Sequence, residues 1–135
     1  MDEFDALQDR GWIEWAIDAR TARIAHLNDM ARKAMGVCGK LVQTSGINAL
    51  SPADQSRIRE KVETFNAFTP ANDPYGEHDF GSFELADGFD GFEHDPIKIF
   101  WKIDYYDRDL EYGSDEPENP AVTTRVLTIM LAEEY

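Results

Sequence analysis

The sequence predicts an α+β domain in which an antiparallel sheet of about three to five strands carries two main helices. Three observations predict it. Residues 97–106 alternate at period two, with Ile97, Ile99, Trp101, Ile103 and Tyr105 on one face and Lys98, Phe100, Lys102, Asp104 and Tyr106 on the other. Two amphipathic helical patterns, near 20–35 and 52–67, precede that strand, with a short strand between them. No helical pattern separates the strands of the C-terminal half, which argues against a doubly wound parallel sheet.

In chain order, residues 1–19 read as an N-terminal extension or short helix and 20–135 as one domain. Trp12 and Trp15 stand near the start, and Gly11 is expected to interrupt any longer helix. Ile24, Leu27, Ala31 and Ala34 then make an apolar stripe, widened by Met30 and Met35. Arg20, Arg23, Arg32 and Lys33 are expected on the opposite, basic side, and His26 at the surface. Gly36 fits the left-handed residue that follows a helix. Leu41 to Thr44 read as a short strand, and Ser45-Gly46 as a turn. Ser51-Pro52-Ala53-Asp54 combines a cap, an N1 proline and an acid facing the helix dipole. The helix it starts should bury Ile58, Val62, Phe65 and Phe68 and stop at Thr69-Pro70.

Residues 71–80 are a turn-rich loop, and 81–85 alternate as a strand with Phe83 and Leu85 inward. Asp87-Gly88 and Asp90-Gly91 mark a long hairpin tip before the central strand. Asp107 to Tyr112 alternate again and read as extended. Gly113 to Pro120 form an acidic loop, and residues 122–132, apolar on both faces, read as an inner strand covered on both sides.

The 135 residues suit one core, and 42% hydrophobic with 12% aromatic residues can build it. The net charge is −14, which argues against direct binding to nucleic acid or an anionic membrane. The charge is uneven. Residues 71–118 hold 15 acids against Lys98, Lys102 and Arg108, a net of −12. Self-repulsion there costs stability, so the clustering asks for a reason, of which solubility is the plainest. The single cysteine, Cys38, leaves no internal disulfide and fits a reducing compartment. No apolar run approaches the ~20 residues of a membrane span. An acidic N-terminus is unlike a signal peptide. A cytoplasmic location is expected.

Three stretches are specific enough to carry a resemblance. Phe68-Thr69-Pro70-Ala71-Asn72-Asp73-Pro74-Tyr75-Gly76-Glu77-His78-Asp79-Phe80-Gly81 is the first, Phe100 to Asp107 the second, and Thr123 to Tyr135 the third. In that order they resemble an uncharacterised bacterial family, domain of unknown function 3768 (DUF3768), associated with alphaproteobacteria and their plasmids and phages. The resemblance runs from about Arg23 to the C-terminus. It implies no catalytic residues, so function rests on chemistry.

Three constellations can be weighed. Glu77, His78 and Asp79, with Asp104 added across the sheet, offer metal ligands, and Lys102 could steady a nucleophile. The simpler reading is an ordered loop in which Asp79 accepts backbone N–H bonds and His78 pairs with a carboxylate. Glu84, Lys102 and Asp104 resemble the acid–acid–lysine groups of metal-dependent nucleases, but in an unusual order. Asp87-Gly88-Phe89-Asp90-Gly91-Phe92-Glu93 lacks the spacing of a calcium loop; its phenylalanines either pack back on the sheet or meet a partner.

The preferred expectation is a non-enzymatic acidic inhibitor of a nucleic-acid-handling complex, of anti-restriction or anti-CRISPR type. Its partner would be a basic nucleic-acid-binding protein, met without cofactor, nucleic acid or membrane. Asp107, Asp109 and Glu111 would project along an extended segment at steps of about 6.6 Å, roughly twice the 3.4 Å rise per phosphate of a DNA strand. Asp87, Asp90, Glu93, Asp95, Asp115, Glu116 and Glu118 would extend the field, with Phe89, Phe92 and Tyr112 as apolar anchors. The alternative is a small metal-dependent hydrolase or nuclease built on Glu77, His78, Asp79 and Asp104, with Lys102.

Overall fold

The computed structural model describes the backbone of residues 3–87 and 93–135, and the side chains of residues 18–86 and 95–135. Helix α1 spans Glu3–Lys33, β1 Lys40–Gln43, α2 Ser45–Asn48 and α3 Pro52–Glu63. Then come β2 Phe80–Asp87, β3 Glu93–Tyr106, β4 Thr124–Leu131 and a final 3-10 turn, Ala132–Glu134.

The four strands form one sheet in the order β1-β4-β3-β2. β2 pairs antiparallel with β3, and β3 antiparallel with β4. β1 pairs parallel with β4, from Lys40 opposite Val126 to Gln43 opposite Ile129. The α+β class is as expected, but the sheet is mixed rather than purely antiparallel. The reason is connectivity. β1 enters the sheet before α3 and the β2–β3 hairpin are laid down, so no hairpin dictates its direction against β4.

Helix α1 runs through Gly11, where the sequence suggests a break, because one glycine costs only about 1 kcal/mol against a long hydrogen-bonded run. Trp12 and Trp15 lie on this helix, with side chains outside the described residues. Gly36 takes φ +81° just past its end. α3 starts as expected, with the Ser51 hydroxyl accepting from the Asp54 N–H at 3.1 Å and Pro52 in the first turn. It ends at Glu63, earlier than predicted, so Phe65 and Phe68 reach the core from a loop. Ser45-Gly46 opens the short helix α2 instead of a simple turn.

The core lies between the helices and one face of the sheet. Ile47, Ile58, Val62, Leu85, Ile99, Trp101 and Ile129 are buried there, Trp101 completely. Gly81 pairs with Trp101, and a Cβ at Gly81 would stand 2.4 Å from the indole nitrogen. Only glycine leaves room for the ring at that point in the sheet.

β4 is the inner strand expected, but its second face is only partly covered: Val126 and Thr128 stay half-buried while Met130 is buried. On that face Phe80, Phe100 and Tyr135 form an edge-to-face group with centroids 5.3–6.1 Å apart. Glu134 ties the chain end down. Its carboxylate accepts from Thr44 Oγ1 at 2.6 Å, Leu131 N at 2.9 Å and Gly46 N at 3.0 Å. These bonds, that from Thr44 foremost, hold its pKa below the ordinary value.

Candidate functional site

The densest polar constellation lies where α1, the loop after α3 and the ends of β3 and β4 meet. Asn28 and Arg32 sit four and eight residues after buried Ile24, so the helix turns them inward with the apolar stripe. Arg32 is thus a correction: it belongs to the core, only 2% exposed, and not to a basic outer face. Arg125 shares the inward face of β4 with Leu127 and Ile129, and Tyr105 the inward face of β3 with Trp101 and Ile103.

Asn28 holds one half of the cluster. Its Nδ2 donates to the Glu77 carbonyl at 2.9 Å and to the Tyr105 hydroxyl at 2.8 Å. Its Oδ1 accepts from Arg125 Nε at 2.7 Å, and Tyr105 in turn donates to Glu77 Oε2 at 2.9 Å. Burial pushes the Tyr105 phenol pKa up and the Arg125 pKa down.

Arg32 holds the other half. Its Nη1 donates to the carbonyls of Val62 and Phe65, both at 2.9 Å, and so satisfies the C-terminal end of α3. Its Nη2 pairs with Asp29, whose carboxylate also meets His78 Nδ1 at 3.0 Å. The guanidinium lies 4.9 Å from the Trp101 ring centre and 5.4 Å from that of Phe68. His78 stacks on Phe68 with ring centres 3.9 Å apart and ring planes nearly parallel. It adopts φ +56°, held there by its N–H to the Asp73 carboxylate at 3.3 Å.

The Glu77-His78-Asp79 stretch is therefore an ordered loop in which His78 pairs with a carboxylate. The four residues of the metal alternative do not point at one place. Glu77 engages Tyr105 and His78 engages Asp29, while Asp104 lies on the opposite face of β3 with Lys102 at 3.0 Å. That contact raises the Lys102 pKa, through the hydrogen bond from Lys102 to Asp104. Glu84 pairs with Lys98, about 13 Å along the strand from Lys102, so the acid–acid–lysine set does not assemble. Among the described residues, no group of three or more His, Cys, Asp or Glu is placed to hold a metal ion.

Asp79 is half-buried, and its carbonyl accepts from Ile103 N at 2.8 Å. Burial, then the charges of Glu77, Asp73 and Asp104, raise its pKa above 3.8. A carboxylate with a raised folded pKa destabilises the fold when ionised, and that cost disappears once pH falls below the unfolded value. Asp79→Asn should therefore raise Tm at pH 7, with the gain shrinking toward zero as pH falls to 3.8. Thermal melts across pH check this; an Asp79→Asn variant less stable than the parent at pH 7 would contradict it.

The proposed partner residues divide. Phe89, Asp90 and Phe92 lie outside the described residues, and so do the side chains of Asp87 and Glu93, whose backbones pair across the hairpin. Asp95 is exposed on β3. Residues 107–112 are not extended but form a tight turn. Leu110 N bonds Asp107 O at 3.1 Å, Glu111 N bonds Asp107 Oδ1 at 3.0 Å, and Leu110 takes φ +61°. Asp107 is spent on the turn, so a phosphate-like spacing of Asp107, Asp109 and Glu111 does not occur. Glu118 pairs with Arg20 at 3.1 Å and faces α1. Asp109, Glu111, Asp115 and Glu116 are exposed. A notch of about 460 Å³ gathers Asp107, Asp115 and Glu116 around Tyr112 and Val122, which are 73% and 41% exposed.

The fold defines the protein as a small α+β domain with helices on one face of a mixed four-stranded sheet. The chain belongs to the family described as protein of unknown function (DUF3768), whose model matches residues 43–134. No curated protein and no solved structure matches it. No helix among the described residues is long and apolar enough to cross a membrane.

Proposed function

We propose that this protein is a non-enzymatic binding protein that occupies a basic surface of a nucleic-acid-handling protein or complex, with anti-restriction or anti-CRISPR inhibition as its concrete form. The acidic notch beside Tyr112 carries the reading. The exposed carboxylates of Asp115 and Glu116 line the same notch as the exposed Tyr112 ring, a combination suited to a lysine or arginine side chain laid against the tyrosine. Exposed Asp109 and Glu111 extend the same negative field and speed encounter with a basic surface. The contact is irregular, so it competes by charge and shape and not by copying the phosphate spacing of a DNA strand.

The test is a pull-down from a bacterial host carrying restriction and CRISPR systems, repeated at raised salt and with Asp115→Lys/Glu116→Lys and Tyr112→Ala variants. A basic nucleic-acid-handling partner should be retained at low salt and lost with the charge reversal. Reversing two charges should cost at least about tenfold in affinity, since like charges brought together across an interface cost several kcal/mol. Full retention of the partner by the reversed variant, or no such partner at all, defeats the proposal.

A further inference from the structure

On another part of the surface, a cleft of about 650 Å³ opens between the C-terminal half of α1, the turn into β1 and the start of β4. Its charged lining runs against the character of the chain. Lys40, Arg108 and Arg125 line it, and among the described residues no aspartate or glutamate does, although the protein carries a net charge of −14. Leu27, Met30 and Val37 make the apolar part of the lining, and Met30 is 42% and Val37 83% exposed. The volume falls within the range of small-molecule sites.

The basic side is preorganised. Arg125 is 4% exposed, its Nε fixed by fully buried Asn28 and its Nη2 donating to the Pro117 carbonyl. Its guanidinium also lies 5.2 Å from the Tyr105 ring centre. Glu118 pairs with Arg20 and Glu77 accepts from Tyr105, and both carboxylates also act on the Arg125 charge. Gly39 brings the floor up close, since a Cβ there would stand 2.6 Å from the Arg125 carbonyl oxygen. Arginine held in this way suits a planar or tetrahedral oxyanion, and the apolar lining suits a short hydrocarbon body.

We propose that this cleft is a binding site for a small amphiphilic acid, a carboxylate or phosphate carried on a short apolar chain. The oxyanion lies among Arg125, Arg108 and Lys40, and the apolar part rests on Leu27, Met30 and Val37. This site is separate from the acidic notch and does not depend on it.

Cys38 supplies the reporter, because it is the chain's only cysteine, is exposed and lines the cleft. The probes are octanoate and octyl phosphate, each below its micelle concentration, with inorganic phosphate and octanol as the halves of the ligand. Alkylation of Cys38 by iodoacetamide is timed with each, and amide shifts are followed by NMR. Octanoate or octyl phosphate should slow alkylation saturably and shift cleft amides, and whichever binds more tightly identifies the headgroup. Arg108→Gln, at an exposed turn position, should weaken binding about fivefold or more, as loss of a charge-assisted hydrogen bond does. Met30→Glu, on the apolar wall, should weaken it while leaving the fold intact. The proposal is overturned if octanol protects Cys38 as well as octanoate does, or if inorganic phosphate alone matches octyl phosphate. Unchanged affinity in both variants, or shifts that never saturate, would overturn it too.

Discussion

Arg32→Ala should lower the free energy of unfolding by about 3–5 kcal/mol, from the cavity a large buried side chain leaves in the core and from the hydrogen bonds lost with it. The side chain is 2% exposed and serves three elements at once. It satisfies the Val62 and Phe65 carbonyls, balances Asp29, and fills space beside Trp101 and Phe68. Alanine leaves the Phe65 carbonyl without this donor and the Val62 carbonyl with the long bond from Phe65 N at 3.4 Å, leaves Asp29 to His78 alone, and opens a cavity against the indole. Arg32→Met keeps most of the volume but none of the donors, so its loss should be smaller than that of alanine yet still clear. Arg32→Lys retains the charge without the planar fork and cannot serve Asp29 and both carbonyls together. Urea unfolding of the three variants measures the series. An alanine variant within about 1 kcal/mol of the parent, the size of an ordinary surface change, would show that the arginine is not the joint between α1 and α3.

Asn28→Ala is the second large effect, about 2–4 kcal/mol from lost buried hydrogen bonds and an orphaned charge donor. Asn28 is fully buried and bonds α1 at once to the Glu77 loop, to β3 through Tyr105 and to β4 through Arg125. Removing it leaves Arg125 Nε without its acceptor, while Tyr105 keeps its bond to Glu77. The signature is non-additivity. Arg125→Met alone should also destabilise, but the double variant should lose less than the sum, because the second change removes a group already unpaired. Strict additivity in a double-mutant cycle would mean that the two side chains do not act together.

Much of the frame was legible in the chain. Period-two alternation places Trp101, Ile99 and Ile103 inward on β3, and Ser51-Pro52-Ala53-Asp54 marks the start of α3, since both signals depend only on neighbours in sequence. The polar joint was not read, although a signal for it exists. Asn28 and Arg32 continue the spacing of Ile24, and Arg125 continues the inward alternation of Leu127 and Ile129. Hydropathy puts such side chains outside. They are inward because each finds partners from distant segments, as in the bonds from Asn28 to Glu77 and from Arg125 to Asn28. The Asp107–Tyr112 segment misled for the converse reason. Its alternation fits a strand, but one carboxylate, Asp107, closes the turn on its own backbone.

The sequence by itself determined the α+β class, the start of α3 and the positions of the main strands, the inward face of the central strand and the concentration of acid in residues 71–118, but not the reach of α1 back to Glu3 or the short helix α2. Tertiary structure decided the parallel pairing of β1 with β4, the burial of Arg32, Asn28 and Arg125, and the separation of Asp104 from Glu77 and His78 onto opposite faces. Local periodicity fixes which way a side chain points within its own element. Which element lies across from it is fixed only when the chain closes, and a buried polar group is stable only where that closure brings its partner.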